Sequence, residues 1–251
     1  MLAGLGEYLE LDPELLDDLK TAISEACNNV VLHAYGGETG PLHMSMSISD
    51  KDFEVSVRDQ GVGLQRVSSA ANRMGVGLAV ISALARRAEF QSEPGEGTEV
   101  RMSFGSEGVG ARAALAARGG IAALSAPLGL GGDIVVTVGP AELLGQVLGR
   151  LVRAVAAGAH FSVDRFPSLH LLTGALSARA AELDGAGEVS FSIVGRPKHL
   201  EVAVGPLPPG SSRDLFGGQT PPGLDGLIES TDATVVPEGE LVQVVLVEPR
   251  R

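Results

Sequence analysis

Between Leu16 and Ala34, apolar residues recur at three- and four-residue steps: Leu16, Leu19, Ile23, Cys27, Val30 and Ala34. That period predicts an amphipathic helix with one core-facing stripe. Asp12 stands where an N-cap belongs, Pro13 takes the first helical position and Glu14 follows in the first turn. Tyr35-Gly36-Gly37 ends the helix, glycine supplying the left-handed terminator. Glu25, Asn29 and His33 are spaced at i, i+4 and i+8 and lie along a separate, polar strip. The period then drops to two. Pro41 to Ser49 and Phe53 to Asp59 alternate apolar and polar residues around the turn Ser49-Asp50-Lys51-Asp52, which predicts an antiparallel hairpin. Leu64 to Arg73 is polar and irregular and reads as a loop. An apolar helix is predicted over Leu78 to Arg87, entered through Gly75 and Gly77. A turn at Glu93-Pro94-Gly95 then leads into a strand with Thr98 at its entrance and Phe104 near its end.

Gly105 to Gly132 is rich in Gly and Ala and reads as a linker, with a short helix at Ala111 to Arg118. Beyond it the pattern predicts a strand at Asp133 to Val138 and helices at Ala141 to Ala157 and Asp164 to Ala181. A hairpin from Glu188 to Val194 and His199 to Gly205 follows, then a closing strand at Leu241 to Val247. This order repeats the first half. LKTAISEACNN lies over LHLLTGALSAR, and FEVSVRDQGVG over LEVAVGPLPPG. The expected organisation is a domain at 1–105, a linker at 106–132 and a second domain at 133–251. Each domain is expected to be an α/β two-layer sandwich, an antiparallel-rich mixed sheet with helices on one face.

Composition narrows the setting. The chain has 251 residues, a net charge of −12, one cysteine and no tryptophan. No long uncharged apolar run predicts a membrane span, and the N-terminus lacks the basic flank of a signal peptide. No Lys/Arg cluster marks a nucleic-acid surface, and no basic amphipathic helix marks a lipid surface. Cys27 alone provides neither an internal disulfide nor a zinc set. A cytoplasmic protein with an acidic surface suited to a basic protein partner is expected.

The polar positions carry the chemistry. A carboxylate and an amide one turn apart, Glu25 and Asn29, suit a hard divalent cation and a water or hydroxyl proton. Asp59 followed by Gly61 and Gly63 places a carboxylate at a strand end where the backbone leaves room for a ligand. Gly75 and Gly77 at a helix start can expose amides to phosphate. The ordered set Glu25/Asn29, Asp59-Gly61-Gly63, Gly75-Gly77 and Gly97-Thr98 resembles the four nucleotide-binding boxes of the GHKL (Bergerat-fold) ATPase/kinase superfamily. The string SEACNN..LHAY and the short lid look like the anti-sigma regulatory factor serine-protein kinases within it. The resemblance covers about Asp12 to Phe104. Members of that group carry a strand and a full helix ahead of the first box, where this chain has Met1 to Leu11.

The resemblance implies roles. Asn29 ligates the Mg²⁺ that bridges ATP phosphates, and Glu25 is the catalytic base or orients the attacking hydroxyl. Asp59 accepts the adenine amino group. Gly61 and Gly63 line the adenine and ribose end, Gly75 and Gly77 the phosphate end. Thr98 adds a hydrogen bond near adenine, Arg73 in the lid contacts phosphate, and His33 is structural or supports the site from behind rather than binding metal. It further implies a transcription-regulating serine/threonine-protein kinase that sequesters a sigma factor and phosphorylates an anti-anti-sigma (STAS-type) partner, working as a homodimer; the repeated second half raises the expectation of an intramolecular pseudodimer instead. The alternative is an ATP-gated protein-binding module without phosphoryl transfer. In the second half Ala175 stands at the Glu25 position, Arg179 at Asn29, Pro206 at Asp59 and Pro208 at Gly61; Gly210 matches Gly63. That half reads as a degenerate copy without nucleotide motifs.

Overall fold

The protein is described by a computed structural model that covers residues 6–7, 9–38, 40–48, 52–63, 72–105, 130–183, 187–216 and 221–248, with the side chains of 72–75 excepted. The chain divides into two compact units, Leu2–Ile121 and Ala122–Arg251, Met1 grouping with the latter. The division falls within the predicted linker. Most of that linker, with its short helix at 111–118, lies outside the described residues, as does most of the turn at 49–52.

In the first unit, helix α1 spans Pro13–Asn29, and the Asp12 carboxylate accepts from the Glu14 N–H at 2.9 Å. The cap and the proline at the helix start are those the sequence predicts. Leu19, Ala22, Ile23 and Ala26 are buried, while Leu16 and Cys27 are half-buried at the edge of the stripe. Burial pushes the Cys27 thiol up to about 11. The last turn, Val30–Ala34, widens into a π-helix before Tyr35. Hydrophobic period alone gives no sign of this widening, which is frequent at functional sites.

Strands β1 (Leu42–Ile48), β2 (Asp52–Asp59), β3 (Arg87–Glu93) and β4 (Gly97–Gly105) pair in the order β3-β4-β2-β1, each neighbouring pair antiparallel. Register explains the core. Ile48 lies beside Phe53 and Phe104, Met46 beside Val55 and Met102, and Met44 beside Val57 and Val100. All nine side chains are buried. With a two-residue period, the next inward position on β2 is Asp59, a carboxylate at the end of an apolar row. The opposite face carries Glu54, Arg58, Glu99, Arg101 and Ser103.

Helix α2 spans Asn72–Leu84 and packs beside α1. Here the sequence reading is corrected. The helix starts at Asn72 rather than Leu78, so Gly75 and Gly77 lie inside its first turns and Arg73 belongs to the helix, not to a loop. Arg87 opens β3, a strand the sequence pattern does not announce. As an edge strand with no fully buried residue, β3 shows no apolar alternation.

The second unit contains β5 (Ile134–Gly139), helix α3 (Leu144–Gly158), helix α4 (Phe166–Ala180), β6 (Val189–Arg196) and β7 (His199–Leu207). These are followed by a short helix α5 (Ser211–Asp214), β8 (Ile228–Val236) and β9 (Gly239–Val247). Its strands run β5-β6-β7-β9-β8, again antiparallel at every described pair. The order β6-β7-β9-β8 matches β1-β2-β4-β3, and β5 and α3 precede α4 as a strand and helix. Single 3₁₀ turns, Ala141–Leu143 and Val163–Arg165, replace the predicted first turns of α3 and α4. Edge strand β8 and helix α5 are not predicted. Among the described residues, no helix is long and apolar enough to cross a membrane.

Candidate functional site

A cavity with about 400 Å³ of empty space, part of it open to solvent, lies between α1, the sheet and α2. Its apolar floor is Ala26, Val30, Val57, Leu78 and Val100, and its polar positions are Asn29, His33, Asp59 and Thr98, with Gly63 at its rim. Asn29, Asp59, Gly63 and Thr98, far apart in sequence, therefore share one pocket.

Asp59 is only 4% exposed. Its Oδ1 accepts from the Gly61 N–H at 2.8 Å and from the Thr98 N–H at 3.2 Å. These bonds hold the buried carboxylate in one orientation. The glycines beside it are there for space. A Cβ on Gly61 would stand 2.0 Å from the Ala34 carbonyl oxygen, and one on Gly97 would stand 2.1 Å from the Asp59 carbonyl oxygen. Gly97 also has φ +90°, so any larger residue is strained there as well. The Thr98 hydroxyl lies 3.2 Å from Ser92 Oγ, which donates to the Gly97 carbonyl at 3.1 Å. Ser92 sits on the unpredicted edge strand, so only the fold could bring it forward.

At the other end, the Asn29 side-chain Nδ2 is buried with no hydrogen-bond partner among the described residues. An orphaned amide is costly unless a ligand engages it. The two ends of an amide differ only by assignment, so the same side chain can turn its oxygen into the cavity. Glu25 is not among the residues lining the cavity. It lies under α2, where a Cβ on Gly77 would come 2.9 Å from Glu25 Oε2 and 3.5 Å from Asn29 Oδ1. Gly77 thus serves close packing of α2 on the Glu25/Asn29 strip. Arg73 and Gly75 fall in the first turn of α2, and the side chain of Arg73 is outside the described residues. His33, read from sequence as structural or supporting rather than a metal ligand, is exposed and lines the cavity. No cluster of three or more His, Cys, Asp or Glu suited to a metal is found among the described residues. A magnesium ion held by one amide oxygen, water and substrate phosphates needs no such cluster.

A two-layer sandwich with a carboxylate and an amide at opposite ends of one apolar pocket has the layout of a small-ligand site, apolar walls with a few placed polar groups. Residues 2–104 match the family described as Histidine kinase-like ATPase domain. The anti-sigma F factor of Clostridium acetobutylicum is 31% identical over 105 residues, 37% of this chain and 73% of that protein. That of Caldanaerobacter subterraneus subsp. tengcongensis is 35% identical over 106 residues, 38% of this chain and 74% of that one. A histidine kinase domain from the blue-light activated histidine kinase of Erythrobacter litoralis EL346 is 22% identical with a TM-score of 0.32, covering 36% of this chain and 47% of that one. The chain belongs to the GHKL family of histidine kinase-like ATPase domains, in its anti-sigma regulatory group.

Proposed function

We propose that the first unit binds Mg·ATP and that the protein is an anti-sigma regulatory factor with serine-protein kinase activity. In this reading it sequesters a sigma factor and phosphorylates an anti-anti-sigma (STAS-type) partner on serine. The observation that carries the reading is the pairing, in one cavity, of the buried Asp59 carboxylate with the orphaned Asn29 amide. Relatives named anti-sigma F factor, matched over 105 and 106 residues, support the choice of partner.

Asp59 would accept the exocyclic amino group of adenine while Thr98 adds a neighbouring hydroxyl. The apolar floor from Val57 and Val100 to Leu78 would take the purine face. Asn29 would offer its oxygen to Mg²⁺, and the first turn of α2 its free N–H groups to phosphate. Bound Mg²⁺ supplies charge neutralisation during phosphoryl transfer. Glu25 would hold the attacking serine hydroxyl and take its proton.

The second reading, an ATP-gated binding module without transfer, draws on the position of Glu25 beneath Gly77 rather than in the cavity wall. Labelled ATP with a STAS-type protein separates the two. Transfer that is lost in Glu25→Ala while ATP binding persists supports the kinase. Transfer undiminished in that variant removes Glu25 from the chemistry, and binding with no transfer at all leaves the gated module.

A further inference from the structure

We propose that Tyr35 is a positioning residue for adenine recognition, its hydroxyl fixing the Gln60–Gly63 loop and, through that loop, the Asp59 carboxylate. The proposal rests on the reading of Asp59 as the adenine acceptor. The Tyr35 hydroxyl accepts from the Gln60 N–H at 3.0 Å and donates to the Pro41 carbonyl at 2.5 Å. One phenol thus ties together the end of the π-turn, the approach to β1 and the residue that follows Asp59. Its ring lies against the backbone of Gly40, where a Cβ would come within 2.2 Å of ring carbon. The loop has a second hold on the same turn, since the Val62 N–H donates to the Ala34 carbonyl at 2.9 Å. On the far side, the Gly95 N–H donates to the Val62 carbonyl at 3.1 Å.

The consequence reaches the ligand through Gly61. Its N–H is one of two donors that orient Asp59 Oδ1, so the carboxylate points where the loop puts Gly61. Burial raises the Tyr35 phenol; the Gln60 hydrogen bond lowers it and the nearby Asp59 charge raises it again, with a net upward shift. At neutral pH the hydroxyl therefore keeps its proton and can donate to Pro41 while accepting from Gln60. Removing the oxygen alone leaves the ring on Gly40 and the Val62–Ala34 bond in place. The loop should stay folded but hold Gly61 less firmly.

The test uses the full chain and two nucleotides, ATP and purine riboside triphosphate, which lacks the 6-amino group. Calorimetry on Tyr35→Phe should show ATP affinity lower by about fivefold, the worth of about one net hydrogen bond. Affinity for purine riboside triphosphate should stay unchanged, so the preference for the amino group narrows. In a double-mutant cycle with Asp59→Asn, the tyrosine change should narrow it no further. A merely structural role would weaken both nucleotides equally, and that result overturns the proposal. If Asp59→Asn abolishes the preference and Tyr35→Phe retains it, the positioning role alone fails. If neither variant alters the preference, the adenine site and the positioning role fail together.

Discussion

The two units share a strand order and a glycine frame but spend their polar residues differently. In the first, Gly63 has φ +75° and Gly97 stands against the Asp59 carbonyl. In the second, Gly210 has φ +87°, and a Cβ on Gly239 would stand 2.1 Å from the Leu207 carbonyl. The frame that closes the loop after the middle strand is therefore present twice. What anchors that loop is reversed. The first unit uses Asp59, at the end of β2, to take the loop N–H and one from β4. In the second, the carboxylate sits on the partner strand: Glu240, which follows Gly239 as Thr98 follows Gly97, accepts from Gly210 N–H at 2.7 Å, Ser212 N–H at 3.2 Å and Ser212 Oγ at 3.1 Å. Arg179, aligned with Asn29, turns to its own surroundings, with Nη1 2.9 Å from Glu182 and Nε 3.4 Å from Ser211 Oγ. Ser211 is fully buried and donates to the Pro208 carbonyl at 2.6 Å. The lesson is that a shared strand order does not fix the polar chemistry: the Asn29 Nδ2 lacks a partner among the described residues, while the aligned arginine has partners within its own unit.

The largest effect that would test this shared frame comes from its glycines. Gly97→Ala and Gly239→Ala should each cost about 3 kcal/mol, because both combine a positive φ with a backbone clash. Denaturant titration of each variant would break the parallel if one were neutral. Next is Asp59→Asn, which should weaken ATP binding more than tenfold, about 1.5–3 kcal/mol for a hydrogen bond to a charged acceptor. Unchanged calorimetric affinity would remove adenine recognition from Asp59. A smaller effect is the pH dependence carried by Glu240. Hydrogen bonds from the Gly210 and Ser212 backbone hold the Glu240 carboxyl below its usual range. Its contribution is thus fully present above about pH 4.5 and is lost as pH falls through the depressed value. The stability gap between the native chain and Glu240→Gln should be constant at neutral pH and close under acid, with ATP affinity at neutral pH untouched. The smallest expected change is none: Arg179→Asn should not add a second nucleotide site, since Pro206 still replaces Asp59. A titration giving two sites per chain, before or after that change, would sink the idea of one functional pocket.

Much of this was legible in the chain. The period of Leu19 to Val30, the cap at Asp12 and the alternation of Phe53 to Asp59 each follow from local rules that the structure obeys. The misses have two physical causes. Strands β3 and β8 lie at sheet edges, and β8 exposes Val235 at 86%, so neither needs the alternation by which strands are read. The early start of α2 was hidden because Asn72 and Gly75 are poor signals of helix, and packing of Gly77 on the Glu25/Asn29 strip outweighs propensity.

By itself, the sequence determined the helix that carries Glu25 and Asn29, the strand that ends in Asp59, and the glycines where backbone must pass close to backbone. These are matters of period and local sterics, settled within a few residues. Only the tertiary structure decided that the Asn29 Nδ2 would find no partner among the described residues, that Glu25 would lie beneath α2, and that Tyr35 would hold the loop beside Asp59. Those outcomes depend on which distant segment fills the space around a side chain, and no local pattern encodes that.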